Sequence, residues 1–163
     1  MSQIIMILLL AIVTGSILYQ DLKVRSVTIL LFAALAILGA GYNILTTPDI
    51  SEYFVNSLIN FAFLLLQFLL LKLYYFLRSK QDIVLLNKMI GPGDVLFLCG
   101  AVLFFNPFNF ILFYCSSLLF ALLIHFCLLH FTRNKKGYDK TVPLAGLQAF
   151  YLFIYMTIDI LNA

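Results

Sequence analysis

The chain reads as an all-α integral membrane protein, a polytopic bundle of six transmembrane helices forming one membrane-embedded domain over residues 1–163. Three observations predict this. Of the 163 residues, 64% are hydrophobic and 10% charged, against about 45–50% apolar and about 25% charged in soluble domains. The apolar residues gather in long runs, and a helix that satisfies its own backbone crosses the hydrocarbon with ~20 of them. The ten Lys and Arg lie in or beside alternate connections between those runs, the asymmetry expected of a multi-pass chain.

Taken in order, the runs cover 3–19, 27–45, 53–77, 95–105, 110–131 and 144–161. No basic residue precedes the first run and no small-x-small pattern closes it, so it reads as a mature helix and not as a signal peptide. The fourth run is short, and Asn106-Pro107-Phe108-Asn109 after it is a turn signal. The fourth and fifth helices therefore form a tight hairpin. Merging them would put Pro107 inside a single helix of excessive length.

Charge orients the bundle. Lys23 and Arg25; Lys72, Arg78, Lys80 and Lys88; and Arg133, Lys135, Lys136 and Lys140 mark three connections as cytoplasmic. Both termini and the loop 46–52, with Asp49 and Glu52, lie outside. The net charge of +3 thus follows from topology, and no nucleic acid is implied as a partner. Cys99, Cys115 and Cys127 sit in apolar runs without C-x-x-C spacing, which reads as packing thiols. No cofactor or metal is expected: His125 and His130 lack the i, i+4 spacing of a helical metal pair.

In the third run Asn56, Asn60, Gln67, Tyr74 and Arg78 fall on one stripe of a helix, which predicts a face turned toward protein. The segment 78–89 has apolar residues between charged ends and reads as an interfacial anchor. Asp82, Asp139 and Asp159 are not assigned to chemistry.

Ionisable groups drawn toward hydrocarbon are the candidates for chemistry, because a charge at mid-membrane costs about 2.5–3.5 kcal/mol or more. Asp21 follows the first helix in Gln20-Asp21-Leu22-Lys23, and Asp94 closes Gly91-Pro92-Gly93-Asp94 before the fourth. Each has a structural reading too. Asp21 can be an interfacial acid neutralised by Lys23 or Arg25, and Asp94 an N-cap. If the first helix continues through Asp21, Thr14 lies two turns deeper on the same face and extends a polar line into the bundle. The two acids share a membrane face, and paired carboxyl groups, one ionised and one protonated, suffice for peptide hydrolysis.

Asp21-Leu22-Lys23-Val24-Arg25-Ser26-Val27 resembles the first aspartate motif of the type IV prepilin and preflagellin peptidases. Gly91-Pro92-Gly93-Asp94-Val95 is similar to their G-x-G-D motif, and Val142-Pro143-Leu144-Ala145-Gly146-Leu147 to the Pro-containing segment opening their last helix. Thr28-Ile29 stands where that family commonly has Pro-Asn, and Leu96 where it has Lys. The resemblance covers the peptidase portion only, and no cysteine-bearing methyltransferase loop accompanies it. It implies catalytic Asp21 and Asp94, supported by Gly91, Pro92, Gly93, Lys23, Arg25 and Pro143. The implied activity is an aspartic endopeptidase of the bacterial inner membrane that removes the basic leader of pilin-like precursors at the cytoplasmic face, with membrane lipid as its surroundings. The rival expectation is a non-catalytic membrane protein, such as a small transporter, an assembly factor or an inactive homologue, whose acids cap helices or bind a cation. A transporter more naturally places its acid at mid-span in a broken helix.

Overall fold

The computed structural model describes residues 2–24, 26–46, 49–79, 91–132 and 144–162. They form six helices: α1 (Ser2–Val24), α2 (Ile29–Thr46), α3 (Ile50–Ser79), α4 (Pro92–Ala101, continued by a 3-10 turn Val102–Phe104), α5 (Pro107–Thr132) and α6 (Leu144–Asn162). All but α4 are long and apolar enough to cross a membrane. The expected all-α polytopic bundle is what the chain forms, with one qualification about its fourth member. From Pro92 to Phe104, α4 is too short to cross the hydrocarbon alone.

A short helix ending inside a bundle leaves its last carbonyls without intrahelical partners, which is costly away from water. Two asparagines from neighbouring helices answer that need. Asn60 of α3, buried, donates to the Phe105 carbonyl at 2.8 Å and the Val102 carbonyl at 3.4 Å. Asn43 of α2 donates to the Leu103 carbonyl at 2.7 Å. The chain then turns directly, since Asn106 accepts the Asn109 amide at 2.9 Å and Pro107 opens α5.

The core is built on heptad-like spacing. Leu10, Thr14, Ile17 and Asp21 line the buried face of α1, and Ala145, Ala149, Leu152, Met156 and Ile160 that of α6. These two helices form the most extensive contact in the molecule, α2 packs on α4, and α5 packs on α6. Small residues permit the close approaches. A Cβ on Gly100 would lie 3.3 Å from Leu35, and one on Gly39 would lie 2.7 Å from the Phe104 ring. Around the end of α4 the rings interlock, with Phe105 stacked on Phe113 at 4.8 Å and edge-on to Tyr155 at 5.3 Å.

The third helix departs from expectation. Asn60 of its polar stripe is buried and Asn56 and Gln67 are half-buried, but Tyr74 and Arg78 are exposed and Arg78 donates to the Tyr74 hydroxyl at 3.0 Å. The stripe faces protein from Asn56 to Gln67 and is exposed at Tyr74 and Arg78, in a helix that makes few contacts with the bundle. At its start Asp49 accepts from the Ser51 hydroxyl and amide. Those bonds, with the hydroxyl's the largest, hold the Asp49 carboxyl below its ordinary range. The anchor segment 78–89 lies almost wholly outside the described residues.

Candidate functional site

Helix α1 continues through Asp21 to Val24, so the acid projects from its last full turn toward α6 and is 9% exposed. Its Oδ2 accepts the Gly146 amide at 2.6 Å, a contact across 125 residues. Asp94 is in the first turn of α4, and its carboxyl group lies near the backbone amides of Ala145 and Gly91. The two aspartates lie within electrostatic reach of each other. The first turn of α6 thus bonds one carboxyl group through Gly146 and lies beside the other at Ala145.

The local sequence accounts for this. The first amides of a helix have no internal acceptor, and the positive end of the helix dipole favours anionic partners. Helix α6 begins at Leu144, so Ala145 and Gly146 present such amides. A carboxylate pair here is partly compensated by the backbone of α6. Gly146 also keeps the approach close: a Cβ there would sit 3.0 Å from Asp21 Cβ and Oδ2 and 3.3 Å from the Leu18 Cα.

Asp94 is not the N-cap that one sequence reading made it. Gly91 is the N-cap without a side-chain cap bond, Pro92 takes the first helical position, and Asp94 the third. From there its carboxyl group lies back against Gly91, in the place of the reciprocal half of a capping box. A Cβ on Gly91 would stand 3.0 Å from Asp94 Oδ2, whereas one on Gly93 would meet only the Phe32 ring at an ordinary 3.7 Å. Of the two flanking glycines, Gly91 is therefore the one that Asp94 crowds.

Lys23 is exposed and donates to the Tyr19 hydroxyl at 2.9 Å. Arg25 and Pro143 lie outside the described residues, as do Lys80, Lys88, Asp82, Asp139 and the basic residues 133–140. Thr28 and Gln20 were not singled out as a pair by the sequence. The Gln20 carbonyl oxygen accepts the Thr28 amide at 2.9 Å and its hydroxyl at 3.1 Å. This ties the start of α2 to the helix bearing Asp21. Leu96 is 38% exposed, on the turn of α4 that follows Asp94. The polar line from Asp21 through Thr14 stops early, because the buried Thr14 hydroxyl donates to its own helix at the Leu10 carbonyl, 2.7 Å away.

Sequence reasoning missed the roles of Ala145 and Gly146, though it named their segment. The available signal was a small-residue pair just inside a helix that opens after Pro143. Among the described residues, no group of three His, Cys, Asp or Glu side chains is placed to hold a metal ion. Searches of protein-family models, of curated proteins and of solved structures return no match for this chain.

Proposed function

We propose that the chain is a membrane aspartic endopeptidase of the prepilin-peptidase kind, multi-pass in a bacterial inner membrane, which removes the basic leader of pilin-like precursors at the cytoplasmic face. One observation carries the reading: Asp21 from α1 and Asp94 from α4 come within electrostatic reach of each other at the start of α6, where Asp21 accepts the Gly146 amide and Asp94 lies near the backbone of Ala145. Two carboxyl groups in mutual reach favour a state with one shared proton. The ionised member takes a proton from water as its oxygen adds to the scissile carbonyl carbon. The protonated member donates to the carbonyl oxygen. Collapse of the tetrahedral adduct breaks the C–N bond, with the proton from water passing to the departing nitrogen and a hydroxyl of the adduct returning its proton to the carboxylate that had donated one, which restores the single shared proton. The amides of α6 stabilise the one negative charge that this cycle requires.

The substrate class rests on the resemblance of the three motifs, and the side of action on the placement of Lys and Arg. The same hydrogen bonds favour a second reading, in which the acids serve only to clamp the start of α6. Leader removal from a pilin-like precursor separates the two, measured in membranes holding equal amounts of folded wild type, Asp21→Asn and Asp94→Asn. Each variant is expected to lose cleavage while keeping its fold. Cleavage near the wild-type rate by either one rejects the peptidase.

A further inference from the structure

The opposite end of the bundle carries a polar recess. Because α4 stops short, the space beyond Phe104 and Phe105 is not filled by helix, and a cavity of about 220 Å³ opens there between the ends of α2 and α6 and the starts of α3 and α5. Its floor is aromatic. Its walls are polar: Glu52 and Asp159 supply carboxylates, Tyr42 and Tyr155 supply rings and hydroxyls, and Asn43 and Asn109 supply amides. Among the described residues, no Lys or Arg lines it. The sequence places all ten Lys and Arg in or beside the three connections at the other membrane face.

The acids are held by different helices. Asp159 of α6 accepts the Tyr42 hydroxyl of α2 at 3.0 Å, which fixes the carboxylate across the mouth of the recess. Glu52 sits in the first turn of α3 and Tyr155 is held edge-on to Phe105. Two carboxylates from different helices beside aromatic rings, with no basic side chain among the described lining residues, form a receptor for an organic cation. The volume is below the ~300 Å³ at which drug-sized pockets begin, which suits a small polar group and excludes a folded segment.

The geometry points to this recess as a binding site for a primary ammonium group of head-group size, held between Glu52 and Asp159. Two sources carry that chemistry, the ethanolamine head group of a bilayer lipid and a free small amine. The site is remote from Asp21 and Asp94 and does not depend on the peptidase reading.

The test uses the full chain, with ethanolamine hydrochloride as probe. Thermal unfolding is followed in detergent with ethanolamine, and with sodium chloride and calcium chloride at matched ionic strength. Saturating ethanolamine is expected to raise the midpoint by about 5 °C or more over the sodium control. Glu52→Gln and Asp159→Asn should each abolish the rise; Glu52 is exposed, so its variant folds without a buried gap. Repeating the titration in phosphatidylethanolamine and phosphatidylglycerol nanodiscs identifies the source. A rise suppressed only by phosphatidylethanolamine assigns the site to the lipid, and an equal rise in both assigns it to a free amine. No rise over sodium, a rise matched by calcium, or a rise kept by both variants overturns the proposal.

Discussion

Gly146 meets Asp21 so closely that a methyl group on its Cα would come within 3.0 Å of the Asp21 Oδ2 that accepts its amide. The Leu18 Cα at 3.3 Å closes the other side, so backbone as well as side chain opposes the added carbon. Gly146→Ala should therefore cost about 1–3 kcal/mol of stability through overpacking. It should also displace Asp21 and lower leader removal by about 10²-fold. Unfolding and cleavage assays on the same preparation check both numbers, and Ala149→Gly on the next turn of α6 serves as a comparison without crowding.

The two aspartates should behave as one unit. Removing either ends the division between water activation and carbonyl protonation, so Asp21→Asn with Asp94→Asn should be no slower than the worse single variant. Cleavage by the wild type should follow a bell in pH. Rate falls on the acid side as the pair gains its second proton and on the alkaline side as it loses its shared one, and the two inflections belong to the pair. A monotonic profile would remove the shared proton from the mechanism.

Asn60 stands out as a stability determinant because it supplies the hydrogen bonds that let α4 end inside the bundle. Asn60→Leu keeps the volume but strands the Phe105 carbonyl and leaves the Val102 carbonyl with only the Phe105 amide at 3.5 Å. A loss of about 1–3 kcal/mol is expected. Thermal unfolding in detergent measures it, and Asn60→Gln should recover part of the loss where its longer amide reaches the Phe105 carbonyl.

Topology gives a fourth expectation. With three basic connections inside, reporter fusions after Lys80 and after Lys136 should read cytoplasmic, and a fusion after Thr46 should read external. A periplasmic signal after either lysine would reverse the bundle or change the number of crossings.

Which parts of this architecture were legible in the sequence follows from the range of the interactions that make them. Apolar run length placed the helices, and Pro107 with Asn106 and Asn109 separated the fourth from the fifth, because these are local properties of the chain. Asp21 and Asp94 were visible as acids at helix ends. The position of Asp94 within its first turn was not, since Gly91 and Asp94 are both good caps and the choice depends on Ala145 reaching Asp94 from another helix. The polar stripe of α3 looked uniform on a helical wheel, yet only Asn60 in its outer half finds backbone to bind. Periodicity states which residues share a face and cannot state how far along the helix a neighbour extends. The outer recess was illegible for the same reason: Tyr42 and Asp159 are 117 residues apart, and the space between them exists because α4 ends early.

That early ending also bears on voltage. From Asp94 to Phe105 the chain advances about 17 Å, given a rise of ~1.5 Å per residue in the helix and ~2 Å in the 3-10 turn. The surrounding hydrocarbon is about 30 Å thick. With Asp94 at one end of α4 and the polar recess at the other, water reaching both ends would leave this stretch a thinner insulator than the neighbouring lipid, and a membrane potential would then drop more steeply along α4, by a factor approaching two. Proton transfer with a component along that axis at Asp94 would do electrical work, and its equilibrium would follow the energised state of the membrane.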